Sequence, residues 1–208
     1  MQNYEPMKII CIGRNYIDHA REMQNPVPQK PVFFLKPESA LLRRNRPFFY
    51  PEFSNDIHYE LEVVIRINKV GKHISHQYAS TYYNEIALGL DFTARDLQRI
   101  CKEKGLPWEI AKGFDSSAAL SKFKTIEQLN KQNIQFSLKK NGNIVQQGNT
   151  KDMIFDFDDL VSYLSQFMTL KTGDIIYTGT PAGVGPVEIT DHLEAYLENE
   201  KTLWCDIK

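Results

Sequence analysis

Apolar residues fall in short runs along this chain, and most runs are closed by Gly, Pro or Asn. MKIICIG is such a run and predicts a strand ending at Gly13. In the following RNYIDHAREMQNPVPQKP, Asn15 is a candidate N-cap, and the prolines at 26, 28 and 31 stop a helix soon after Met23. A short polar helix of about two turns is expected, hinged by Gly13 and bounded by prolines. VFFLKP reads as a strand cut by Pro37, and HYELEVVIRI as one strand closed by Lys69 to Gly71. Residues 76 to 84 fit no template cleanly and are read as one helical segment. IALGLDFT is strand-like, and ARDLQRICKEKG is a helix closed by Gly105. Asn141-Gly142 marks a type I′ turn inside IQFSLKKNGNIVQQG. DFDDLVSYLSQFMTL is an amphipathic helix with the acidic first turn that the macrodipole favours. GDIIYTGTPAGVG is a strand running into a Gly/Pro loop, and HLEAYLENEKTLWCDIK is a closing hairpin. Strands outnumber helices and do not alternate with them, so the pattern predicts a β-rich α+β fold.

Composition narrows the partners. The 208 residues suit one large domain with a sizeable core. With 25 basic and 26 acidic side chains, the net charge of -1 leaves no footprint for nucleic acid or an anionic membrane. No apolar stretch approaches the ~20 residues that span a bilayer, and the first residues resemble neither a signal nor a transit peptide. Cys11, Cys101 and Cys205 are scattered, without the spacing of a disulfide framework or a cysteine zinc site. A reduced, cytoplasmic setting is expected.

Candidate chemistry begins with HYELEV. Strand side chains alternate, so Glu60 and Glu62 share a face about 7 Å apart. Alone, such a pair describes a half-exposed strand with a solvated acidic face. Asp91 changes the picture, because an aspartate after the apolar run IALGL must be paired, hydrogen-bonded or bound to a metal. Its competing reading is a helix cap for TARDLQ. Three carboxylates held together repel unless a cation neutralises them, and an all-carboxylate set suits Mg²⁺, Mn²⁺ or Ca²⁺ better than zinc.

His19 and Glu22 lie at i and i+3, neighbours on one helical face. A carboxylate there orients an imidazole as a general base, on a helix placed to act as a lid. The competing reading is two polar residues on an exposed helix. Lys112, in IAKGFD, is either a surface lysine before a turn or a partner for a substrate carboxylate. TGTPAGVG lacks the spacing of a P-loop or a dinucleotide fingerprint. It reads as a tight turn, or as a rim of amides and the Thr180 hydroxyl that receives a carboxylate.

GRNYIDHARE, HYELEVV, GLDFTARDLQ, GLPWEIAKGFD and GDIIYTGTPAGVGPV occur in this order between residues 13 and 187. Together they resemble the fumarylacetoacetate hydrolase family, in its short branch of acylpyruvases and oxaloacetate decarboxylases. The resemblance implies a mixed β-sheet roll, a single catalytic domain over 1–208 with a helical lid at about 15–25, a homodimer and an Mg²⁺ or Mn²⁺ site. It implies Glu60, Glu62 and Asp91 as metal ligands, His19 and Glu22 as a water-activating dyad, and Lys112 as a support for substrate. Arg95, Gln98 and Thr180 become candidate substrate contacts. The implied activity is cleavage of a carbon–carbon bond in a small 2-oxo acid, by acylpyruvate hydrolysis or oxaloacetate decarboxylation through a pyruvate enolate. Oxaloacetate keto–enol tautomerisation and a non-catalytic metal- or small-molecule-binding module are the alternatives. The N-terminal domain of the full-length fumarylacetoacetases has no counterpart in these residues, which leaves fumarylacetoacetate itself doubtful as substrate.

Overall fold

The computed structural model describes residues 8–22, 26–127 and 129–208. At its centre is a mixed eight-stranded sheet. Across it the order is Val32–Lys36, Ile9–Gly13, Ile175–Tyr177, Leu61–Ile67, Tyr83–Asp91, Ala118–Leu120 and Leu41–Arg43, with Lys124–Thr125 added alongside Tyr83–Asp91. Ile9–Gly13 runs parallel to Ile175–Tyr177, and Leu41–Arg43 parallel to Ala118–Leu120; the other neighbours are antiparallel. A four-stranded antiparallel sheet joins Asn143–Asn149, Gln135–Lys140, His192–Leu197 and Glu200–Asp206. A small third sheet pairs Gly185–Pro186, Ile57–Tyr59 and Thr93–Ala94. The expected β-rich mixed architecture is therefore present.

The Leu61–Ile67 strand shows why the acidic face is not solvated. Leu61, Val63, Ile65 and Ile67 face the main core, while Val64, on the face that carries Glu62, packs with Ile9, Cys11, Ala87 and Tyr177. A strand covered on both faces buries whatever it carries, and each fully buried Val or Ile side chain stabilises the fold by roughly 1.5–3 kcal/mol. Gly89 lies opposite Glu62 because nothing larger fits. A Cβ there would meet the Tyr177 ring at 2.3 Å, and the Tyr177 hydroxyl donates to the Ala119 carbonyl at 2.8 Å.

Several local expectations hold. Asn141 and Gly142 have φ of 52° and 83°, as a type I′ turn needs. Gly105 closes the Arg95–Lys104 helix at φ 64°. Asp156 caps the Phe157–Phe167 helix in a capping box with Asp159. Others need correction. HYELEVVIRI is two strands, interrupted at Glu60. Residues 76–84 divide into a helical turn, His76–Ala79, a 3₁₀ turn, Ser80–Tyr82, and the start of a strand. The short helix is Ile17–Glu22, which starts too late for Asn15 to cap it. The expected boundaries at Met7 and Met23, and the end of the proposed lid span, lie outside the described residues.

Candidate metal centre and lid

Glu60 occupies the break between Ile57–Tyr59 and Leu61–Ile67, Glu62 is the second residue of the latter, and Asp91 ends Tyr83–Asp91. The Asp91 N–H donates to the Glu60 carbonyl at 2.8 Å, so the backbone itself sets their spacing. Gln146 fills the break, since its Oε1 accepts from the Leu61 N–H at 2.9 Å. Oxygens of all three carboxylates lie within 4.8 Å of one another, and the residues are 5%, 1% and 1% exposed. The solvated-face reading of Glu60 and Glu62 and the helix-cap reading of Asp91 both fail; Ala94 holds the cap position.

Buried charges must be balanced, and three cations attend these carboxylates unevenly. Lys112 Nζ donates to Glu60 at 2.9 Å and to Asp91 at 2.8 Å. Arg95 Nη2 donates to the other Glu60 oxygen at 2.6 Å, and its Nη1 to Gln98 Oε1 at 2.7 Å. Lys36 Nζ lies 2.8 Å from Asp91 Oδ1, yet its hydrogen-bond contacts are with the Phe92, Lys112 and Ser117 carbonyls and the Ser117 hydroxyl. Asp91 Oδ1 is therefore in charge contact but, among the described residues, has no aligned hydrogen bond. Glu62 contacts none of these cations and, among the described residues, accepts only from the Gly179 N–H, at 2.6 Å.

The acidities follow this arrangement. Burial works against ionised Glu60, but Lys112, Arg95 and His19 outweigh it and hold its carboxyl well below the usual range. Burial, then the neighbouring Asp91 and Glu60, push Glu62 well above it. Burial also disfavours charged Lys112, but Asp91 and Glu60 more than compensate and keep it protonated. A carboxylate without a countercharge, beside an oxygen without a hydrogen bond, fits a hard divalent cation, and the all-oxygen donor set suits one. Glu60, Glu62 and Asp91 could hold it.

The Ile17–Glu22 helix stands over this cluster. Its entry turn bends at Arg14, whose φ is 62°, and not at the expected Gly13, where a Cβ would meet nothing nearer than 4.0 Å. Asn15 is a buried clamp in place of a cap. Its amide donates to the Phe155 and Thr178 carbonyls at 2.9 and 2.8 Å and accepts from the Phe155 N–H at 2.8 Å. His19 is 7% exposed and places Nδ1 3.3 Å from Glu22 Oε2. The Glu22 carboxylate also accepts from the Gly183 N–H at 3.0 and 3.2 Å. Glycine is required at both loop positions. Gly179 has φ 103° and would collide with Asn15, while Gly183 has φ 95° and would collide with the Val145 carbonyl.

His19, Glu60, Glu62, Asp91, Arg95 and Thr180 line one pocket, joined by Gln98 and Lys112. Every candidate site residue but Glu22 therefore faces the same space, and Glu22 touches it through His19. Lys112 is 3% exposed, so it is no surface lysine. The Thr180 hydroxyl accepts from Gln146 Nε2 at 2.9 Å and keeps its own proton to donate. The loop amides do receive carboxylates, but those of Glu62 and Glu22. The sequence reading misses two contributors, Lys36 and Gln146, and gives Asn15 the wrong role. Lys36 ends an apolar run before Pro37, and a lysine closing so apolar a strand was its one available signal.

Comparison with known proteins gives the family. The family model described as fumarylacetoacetate (FAA) hydrolase C-terminal matches residues 8–208. The protein named oxaloacetate tautomerase FAHD1, mitochondrial, from Bos taurus is 45% identical over 188 residues, 90% of this chain and 85% of that one. The oxaloacetate decarboxylase, mitochondrial, of Dictyostelium discoideum is 46% identical over 185 residues, 87% of this chain and 84% of that one. Fumarylpyruvate hydrolase from Pseudomonas aeruginosa, solved in complex with Mn²⁺ and pyruvate, superposes with a TM-score of 0.92 at 34% identity, covering 100% of this chain and 93% of the other. No helix among the described residues is long and apolar enough to cross a membrane. The chain belongs to the fumarylacetoacetate hydrolase family.

Proposed function

We propose that this chain is a divalent-metal-dependent enzyme that cleaves a carbon–carbon bond in small 2-oxo acids through a pyruvate enolate, by acylpyruvate hydrolysis, oxaloacetate decarboxylation or both. The observation that carries the reading is the cluster of Glu60, Glu62 and Asp91, in which Glu62 is buried with one backbone amide and, among the described residues, no cation in contact. Mg²⁺ or Mn²⁺ held there would act as a Lewis acid toward the 2-oxo group and the enolate oxygen. The catalytic unit in this reading is the whole of 1–208, with the Ile17–Glu22 helix as lid.

The chain's own residues supply the rest. Arg95 lines the pocket and carries a buried Nε–H without an acceptor among the described residues, which suits an oxygen of the substrate. Gln98 fixes the Arg95 guanidinium, and the free proton of Thr180 adds a donor. Lys112 lends positive charge where negative charge develops. With Nδ1–H directed at Glu22, the His19 Nε2 lone pair is left to accept a proton. For an acylpyruvate, His19 takes a proton from the water that attacks the distal carbonyl, and the C–C electrons pass to the enolate. For oxaloacetate, CO₂ leaves and no attacking water is needed, so one site serves both. The names of the mammalian relatives favour a second reading, keto–enol tautomerisation of oxaloacetate. His19 would then take the proton of the C3–H bond as its electrons pass to the 2-oxo oxygen, which is protonated to the enol, with no carbon–carbon bond broken.

A homodimer is part of the proposal, supported by Val32 and Leu35, which are exposed on the edge strand of the large sheet. A reducing, cytoplasmic setting is also part of it, supported by three buried free cysteines. The test is turnover of acetylpyruvate, fumarylpyruvate and oxaloacetate, following both pyruvate release and the enol signal. Chelation should abolish activity, Mg²⁺ or Mn²⁺ should restore it, and Glu60→Gln should remain inactive with either metal. Full turnover after chelation, or no turnover of any of the three with metal, would overturn the proposal. Enol conversion without pyruvate would select the second reading.

A further inference from the structure

The pocket is charged oppositely toward solvent. Arg14 and Lys102 line it together with the acidic cluster, but Lys102 is exposed and Arg14 half-buried, whereas Glu60, Glu62 and Asp91 are buried. Lys102 follows Arg95 and Gln98 at i+7 and i+4 on the Arg95–Lys104 helix, so the three share a face. Its ammonium stands 5.8 Å from the centroid of the Trp108 ring, which lines the same pocket. Arg14 is presented by the left-handed turn between Gly13 and the clamped Asn15, a costly conformation for a residue with a Cβ. Among the described residues, neither side chain has an ion-pair or hydrogen-bond partner. Burial, and then repulsion from Arg95 and Arg14, lower the Lys102 pKa. Cations left unpaired this close together are relieved by an anion.

We propose that Arg14 and Lys102 form a subsite for the far carboxylate of a dicarboxylic 2-oxo acid, which makes the chain selective for dicarboxylates over acids that end in a neutral group. The inference rests on the reading above, which seats the 2-oxo end at Glu60, Glu62 and Asp91. Arginine offers a planar fork to a carboxylate and lysine a mobile point charge. The alternative for Lys102 is a favourable place near the helix carboxyl end. Lys104 shares that place but does not line the pocket, so it serves as the control.

The experiment uses the full chain loaded with Mg²⁺. Calorimetric titration compares 2-oxoglutarate with 2-oxopentanoate, which has the same carbon count but a methyl in place of the far carboxylate. Steady-state assays compare oxaloacetate with acetylpyruvate. Arg14→Gln and Lys102→Gln should each weaken 2-oxoglutarate about tenfold, the loss of one charge-assisted hydrogen bond, and lower kcat/KM for oxaloacetate by a similar factor. Both should leave 2-oxopentanoate and acetylpyruvate within about twofold, Lys102→Arg should retain the preference, and Lys104→Gln should change nothing. Unchanged selectivity in both glutamine variants, or equal loss for both ligand classes, would overturn the subsite while the proposed function stands. A wild-type protein that neither binds nor turns over any of the four would overturn both. Lys102 is exposed on its helix, so its variant keeps the test decisive if Arg14→Gln fails to fold.

Discussion

The floor and the lid of the pocket are built on different principles. The floor is over-determined. Glu62 and Asp91 stand on adjoining strands and Glu60 in the break beside them, all three buried, and Lys36, Lys112 and Arg95 are fixed around them by hydrogen bonds and ion contacts, with little freedom to rearrange. The lid is a six-residue helix, too short to be stable alone. It is fastened at its start by Asn15 and at its end by one carboxylate on one amide, Glu22 on Gly183. The contrast assigns the work. A site that must hold a divalent ion in fixed geometry needs the first kind of construction, and one that must admit substrate and then exclude water needs the second.

The largest effect should come from breaking the floor's balance. Lys36→Met keeps the volume but removes the buried charge beside Asp91 and one donor each to the Phe92, Lys112 and Ser117 carbonyls, of which Lys112 keeps the Ser117 hydroxyl and Ser117 the Phe92 N–H. Breaking a buried ion pair from one side costs about 3–5 kcal/mol, so the urea midpoint should fall steeply in metal-free protein. Saturating Mg²⁺ should recover part of the loss, by about 2.7 kcal/mol at a hundredfold excess over Kd. A loss below about 1 kcal/mol would show that Lys36 does not balance the carboxylates.

The next effect separates lid from floor. His19→Ala should reduce acylpyruvate hydrolysis by about 10²- to 10⁴-fold, the usual contribution of a general base. Oxaloacetate decarboxylation, which needs no activated water, should fall much less. Equal loss of the two activities in steady-state assays would remove the division of labour between His19 and the carboxylates.

The same contrast explains what the sequence made legible. The floor carboxylates lay in strand-like runs, where a buried charge has few explanations, so Glu60, Glu62 and Asp91 could be named with their chemistry. Lys112 could be named but not placed, because its burial comes from the Arg95–Lys104 helix and the Thr93–Ala94 and Val32–Lys36 strands packing against a four-residue helix. Lys36 and Gln146 act across 55 and 85 residues of chain, on Asp91 and Leu61, and no local pattern carries such information. The hinge was misplaced because glycine advertises left-handed backbone, yet here the tertiary clamp at Asn15 imposes it on Arg14. The order of the elements was legible for the same reason in reverse, since turns such as Asn141-Gly142 and caps such as Asp156 are local devices.

The smallest effect tests what fastens the lid. Two carboxylates on this helix have partners. Asp18 meets Arg21 at 3.3 Å with both side chains more than 70% exposed, while Glu22 reaches across to Gly183. Exposed pairs three residues apart contribute little, because water screens the charges and ordering two side chains costs entropy. Arg21→Gln should therefore leave hydrolysis within about twofold of wild type. Glu22→Gln keeps an oxygen for the Gly183 N–H but weakens a charge-assisted bond and withdraws the charge that orients His19, so it should cost about tenfold. If Arg21→Gln proved the more damaging of the two, the helix would be held by its own surface pair, and the lid would be a fixed wall of the pocket.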